Sequence, residues 1–177
     1  MAKKTLRYLS LGLLIFSLLF LWLVLRKPSV PSAAASAEAA RSFDRKMSQL
    51  VQAQEQRLPG EIRLTEAEIN SKIQEGLRDN PPPAGALTVK DASVRLEGEK
   101  LLTMLTVNAK GMDLYVTVGG RLGFSNHTVR VIPSEVRVGS LPVPASWLAG
   151  KIDMHMEVPG AVTGMRIENS ELVVQAQ

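Results

Sequence analysis

Apolar and polar residues follow one another along this chain in three successive patterns. Tyr8 to Leu25 is a run of eighteen residues without a charge, rich in Leu, Ile and Phe, with Trp22 near its outer end. A helix of roughly 17–25 such residues spans a bilayer, so the first element is read as a transmembrane helix. From Ser36 to Arg57 the period becomes helical: Phe43, Met47, Leu50 and Val51 recur among Arg, Asp, Lys and Gln. That pattern fits a free-standing stalk and a helix packed on the domain equally well. Pro59-Gly60 ends it, and Glu61 to Leu64 alternates as a short edge strand.

A second helix, Leu64 to Asn80, carries the clearest start signal. Thr65 and Glu68 form a T-x-x-E capping box, and Leu64 with Ile69 is spaced as a hydrophobic staple. Ile69, Ile73 and Leu77 then recur every four residues as one narrow apolar stripe. Pro81-Pro82-Pro83 stops the helix. Fewer than four turns with so thin a stripe do not hold in water alone, so the stripe requires a cover.

Period two takes over next and predicts an antiparallel meander. Ala92, Val94 and Leu96 share a face of the first strand, and Leu105, Val107 and Ala109 a face of the second. In the third, Leu114, Val116, Val118, Leu122 and Phe124 alternate with Tyr115, Thr117, Gly119, Arg121 and Gly123. The fourth runs through Val129 and Val131, slips phase at Ile132-Pro133, and resumes at Val136 and Val138. A bulge at Ile132-Pro133 absorbs that slip. With the strand glycines, it predicts a bent sheet with one apolar concave side. Pro144 opens a further short helix, Ala145 to about Met156, burying Trp147, Leu148 and Ile152. A final hairpin pairs Met165–Ile167 with Leu172–Val174 around Asn169-Ser170.

Charge alters the picture at the N-terminus. Lys3, Lys4 and Arg7 precede the apolar run and Arg26 and Lys27 follow it. The excess inside orients the segment with its N-terminus in the cytoplasm and Pro28 to Gln177 outside it. Ala33-Ala34-Ala35 and Ala35-Ser36-Ala37 also fit a signal-peptidase pattern, but the run exceeds the ~7–15 residues of a signal core. A retained anchor is therefore the expectation. The formal net charge of +4 belongs to these flanks. Removing five basic residues leaves 21 − 5 = 16 basic against 17 acidic, a net of −1. No basic stripe remains for nucleic acid. There is no cysteine, which excludes disulfides and a lipidated cysteine.

Candidate chemistry is sparse. Asp153, His155 and Glu157 would share a face only in a strand, and on a helix they diverge, so no metal site is expected. No nucleophile motif or phosphate loop occurs, and the chain is not expected to be an enzyme or to hold a cofactor. Asn126-His127-Thr128 matches a glycosylation tripeptide. What remains is a surplus of aliphatic stripes with few aromatics. These either fill one another as a closed core or leave an elongated groove for an apolar ligand.

The segments LTEAEINSKIQ, GSLPVPASWL and the closing I-x-N-x-x-L-x-V, with the meander between them, resemble the YpmS-like family. Those are small bacterial envelope proteins with one N-terminal anchor. The layout is also similar to tubular lipid-binding (TULIP) modules, in which a strongly bent antiparallel sheet wraps a helix. The resemblance covers Glu61 to Val174 and the anchor. It implies an α+β fold in three parts: an anchor over 1–27, a spacer and stalk over 28–60, and a TULIP-like domain over 61–177. It further implies a single-pass membrane protein whose extracytoplasmic domain binds a lipid or other apolar ligand. On that resemblance Ile69, Ile73 and Leu77 face the sheet, and Val107, Val116, Val118 and Leu122 line its inner side. Leu148 and Ile152 close one end. The chain is shorter than two-lobed members, so no long through-tunnel is implied. The alternative is a non-catalytic envelope scaffold with a filled core, presenting the 36–57 helix to a protein partner.

Overall fold

The computed structural model describes residues 15, 17–19, 22–27, 33–80, 87–125, 128–144, 146, 155–157 and 162–177. Within these the fold is α+β, with two antiparallel sheets, two helices packed among them and further helical residues near the N-terminus. Helix α1 (Ala37–Glu55) starts at Ser36, whose side chain accepts a hydrogen bond from the Ala39 N–H at 3.1 Å. It ends with Arg57 in the left-handed region at φ 56°, while the Leu58 N–H reaches back to the Ala53 carbonyl at 2.9 Å. Helix α2 (Glu66–Asp79) begins with the expected capping box, both of its reciprocal bonds being formed. Of the run Tyr8–Leu25, residues 15, 17–19 and 22–25 are described and are helical. Among the described residues no helix is long and apolar enough to cross a membrane.

The larger sheet holds β2 (Leu87–Glu97), β3 (Lys100–Ala109), β4 (Met112–Ser125), β5 (Thr128–Val138) and β6 (Leu141–Val143) in chain order. Strand β7 (His155–Glu157) pairs with the opposite end of β5 from β6. The helix expected to run to Met156 therefore gives way to strand by His155, where ladder bonds to Thr128–Arg130 override the local pattern. The remainder of that expected helix, with Leu148 and Ile152, lies outside the described residues. The phase slip in β5 is real and falls one residue later than expected. Gly119 pairs with Glu135 and Gly120 with Pro133, so Ser134 is the extra residue. Its hydroxyl donates to the Gly119 carbonyl at 3.3 Å.

A second sheet joins distant parts of the chain. Strand β1 (Gly60–Leu64) pairs with β9 (Glu171–Ala176), which also pairs with β8 (Val162–Glu168). The β8–β9 turn places Asn169 and Ser170 at φ 51° and 60°, the doubly left-handed geometry that suits right-twisted hairpins. β1 is an edge strand, as its short alternation indicated.

Two apolar clusters hold these layers together. In one, Leu50 of α1, with Phe43 and Met47 beside it, packs on Ile62, Leu64, Val174 and Ala176 of the small sheet. Of the two roles open to it, α1 thus takes that of a helix packed on the domain. In the other, Ile69 and Ile73 of α2 pack with Val94 and Leu96 of β2, Leu122 of β4 and Ile167 of β8. Ile69 and Leu172 touch both clusters and join them.

Candidate functional site

Paired residues of antiparallel neighbours point to the same side of a sheet, so the register defines the inner face of the large sheet row by row. Val94, Thr103, Val118, Val136 and Val143 form one row. The next contains Ala92, Leu105, Val116, Val138 and Leu141, and the one beyond it Val89, Val107 and Leu114. Leu122 pairs with Val131 toward the other end of the same face. Four expected lining residues, Val107, Val116, Val118 and Leu122, are thus brought onto one apolar surface.

Their exposure separates them. Val118 is 3% exposed and belongs to the packed interior. Val107 and Val116 are half-buried, as are Ala92, Leu105, Leu114, Val138 and Leu141 around them, and none of these belongs to the two core clusters. Leu122 packs beside the second cluster. On the helix, Ile69, Ile73 and Leu77 are half-buried, and the first two touch the β2 end of the face. Leu105, Leu114 and Val138 were visible as alternating residues, but only strand pairing shows that they adjoin Val107 and Val116.

Helix α2 is held to the sheet by a polar row parallel to its apolar stripe. A Glu66 carboxylate oxygen accepts from the Leu96 N–H at 2.7 Å. The Asn70 side chain accepts from the Val94 N–H at 2.7 Å and donates to the Val94 carbonyl at 2.9 Å, as a neighbouring strand would. Gln74 donates to the Ala92 carbonyl at 2.9 Å. Four helical residues rise about 6.0 Å and two strand residues about 6.6 Å, so the side chains meet every second residue of β2. The free edge of the sheet is thereby covered.

Glu68 links α2 to α1. It is 5% exposed and accepts from Ser42 Oγ at 2.6 Å, the Thr65 N–H at 2.8 Å and Lys46 Nζ at 2.8 Å. Burial pushes its pKa up, but bonds from Lys46, Ser42 and Thr65 outweigh that and hold it at about 2. Lys46 also donates to the Arg63 carbonyl at 2.6 Å, which ties in β1.

The opposite face of the large sheet carries an open cleft of about 460 Å³, lined in part by Arg95, Glu97, Thr117, Glu135 and Arg137. Arg26 and Lys27 also line it, and at its rim the Ser140 N–H donates to the Leu23 carbonyl at 2.9 Å. Gly139, between β5 and β6, sits at φ 58°, and any Cβ there would run into the Leu23 and Val24 carbonyls. Only glycine meets both conditions.

Among the described residues no group of His, Asp and Glu is placed to hold a metal ion. His155 and Glu157 lie in β7, while Asp153 and His127 are outside the described residues. No family model, curated protein or solved structure matches the chain.

Proposed function

We propose that this protein is a membrane-anchored, extracytoplasmic module of the bacterial envelope that binds an acyl chain or similar apolar ligand without catalysis. In this reading Tyr8–Leu25 is the anchor, and the bowed, TULIP-like inner face of the large sheet, flanked by the α2 stripe, is the ligand groove. The observation that carries it is the pair of half-buried apolar rows, Ala92–Leu105–Val116–Val138–Leu141 and Val89–Val107–Leu114. Apolar sites with few polar groups are the usual form of lipid pockets. A scaffold role through the 36–57 helix finds less support, because Phe43, Met47 and Leu50 of that helix are turned into the domain.

Native mass spectrometry of the full chain, released from neutral detergent after incubation with palmitate, tests this. A single retained palmitate on the wild type, lost in Val116→Trp, is the expected result. No adduct on the wild type, or equal adducts on both, overturns it.

A further inference from the structure

The outer-face cleft is chemically unlike the inner face, and the groove has no use for it. Four cations border it, Arg26, Lys27, Arg95 and Arg137, against two carboxylates, Glu97 and Glu135, leaving a net charge of +2. Arg95 pairs with Glu97 at 3.0 Å and Arg137 with Glu135 at 3.6 Å. Arg26 stacks over the Trp22 ring at 5.1 Å, and neither it nor Lys27 has a carboxylate partner among the described residues. The buried Glu68, Asn70 and Ser71 bond to α1, α2, β2, the cap Thr65 and the 33–36 segment, whereas the buried Thr117 lines this cleft.

We infer that this cleft is a binding site for a phosphate-bearing anion, either an anionic phospholipid headgroup or a free phosphate. Charge and shape both suit such a ligand. Two arginines, each ion-paired to a glutamate of the cleft, offer forked donors suited to phosphate oxygens, and two further cations have no carboxylate partner among the described residues. The cleft is large enough for a phosphate with its ester substituent. Its position points to the lipid source. It forms where the Tyr8–Leu25 run ends, and the Gly139-Ser140 turn is fastened to that end by the Leu23 carbonyl. Cationic residues just outside a membrane span lie at headgroup depth. The headgroup source thus rests on the proposed anchor, while the phosphate site itself does not. The inner-face groove lies on the other side of the sheet and is a separate site.

Isothermal titration of the full chain in neutral detergent tests the site with three ligands: dihexanoyl phosphatidylglycerol, dihexanoyl phosphatidylcholine and inorganic phosphate. Phosphatidylglycerol should bind at least about tenfold more tightly than phosphatidylcholine, and the Arg95→Gln/Arg137→Gln pair should weaken it at least about tenfold. The Arg→Lys pair should recover part of the loss. Inorganic phosphate matching phosphatidylglycerol would support the site with a soluble anion as its source. Equal binding of the two lipids, or no effect of the arginine variants, overturns it. Val116→Trp should leave phosphatidylglycerol binding unchanged while abolishing the palmitate adduct, so either site can fail without the other.

Discussion

Glu68 concentrates the residue-scale physics of this fold. A carboxylate 5% exposed would ordinarily gain a proton, yet three donors from α1 and the helix start keep it ionised. Its pKa is about 2 in the folded state against a reference of 4.5. The folded state therefore gains stability that is complete above pH ~5 and disappears as pH falls through about 2. That shift corresponds to of order 3 kcal/mol. Glu68→Gln should lower stability by ~2–3 kcal/mol at pH 7 and flatten the wild-type decline between pH 5 and 2, measured by urea denaturation across pH. The capping role of Glu68 is legible because Thr65 lies three residues away. The bond to Lys46 is not, since that residue is 22 positions distant on another helix. Gly120 is a second test at this scale. A Cβ there would press on the backbone carbonyl of Ile132 beside the bulge, so Gly120→Ala should lower the thermal midpoint, at a cost of about 1–3 kcal/mol.

At the scale of elements, α2 has two parallel rows with different tasks. Ile69 and Ile73 pack on β2, while Glu66, Asn70 and Gln74 bond to its backbone. Replacing Asn70 by Leu leaves the buried N–H and carbonyl of Val94 unpaired, which should cost ~2–4 kcal/mol and speed hydrogen exchange at the Val94 amide. A conserved rate at that amide would contradict the edge-covering role. The spacing of four puts Glu66, Asn70 and Gln74 on one side of α2, but nothing in it marks them as bonding to a strand. Which strand lies at a sheet edge depends on strand order, and no local pattern encodes that. The bulge shows the opposite case. The reversal of parity between Val131 and Val136 reveals that one residue is extra, and pairing with Gly119 and Gly120 identifies it as Ser134.

At the scale of the whole molecule, the small sheet closes the fold by pairing β1 with β9, residues more than a hundred positions apart. Alternation marks β1 and the Leu172–Val174 run marks β9, but neither reveals that the two pair, so the division into two sheets was not legible. Nor was the docking of α1, whose stripe suits a stalk and a packed helix alike. Ending the chain at Ser170 removes the shared partner of β1 and β8 together with Val174 and Ala176 of the α1 cluster. That truncation should abolish the cooperative thermal transition in circular dichroism. The inner face yields a paired prediction. Tryptophan at the buried Val118 should cost ~1–3 kcal/mol through overpacking, whereas Val116→Trp should change stability little and remove ligand.

The proposed groove is tested most directly by finding where a fatty acid attaches. A photoactivatable fatty acid is added to the full chain in lipid nanodiscs, irradiated, and its attachment mapped by peptide mass spectrometry. Labels on β3 and β4 around Leu105, Val107, Leu114 and Val116 are the predicted result. Labels confined to Tyr8–Leu25, with the sheet unmodified, would contradict an apolar ligand held by the domain.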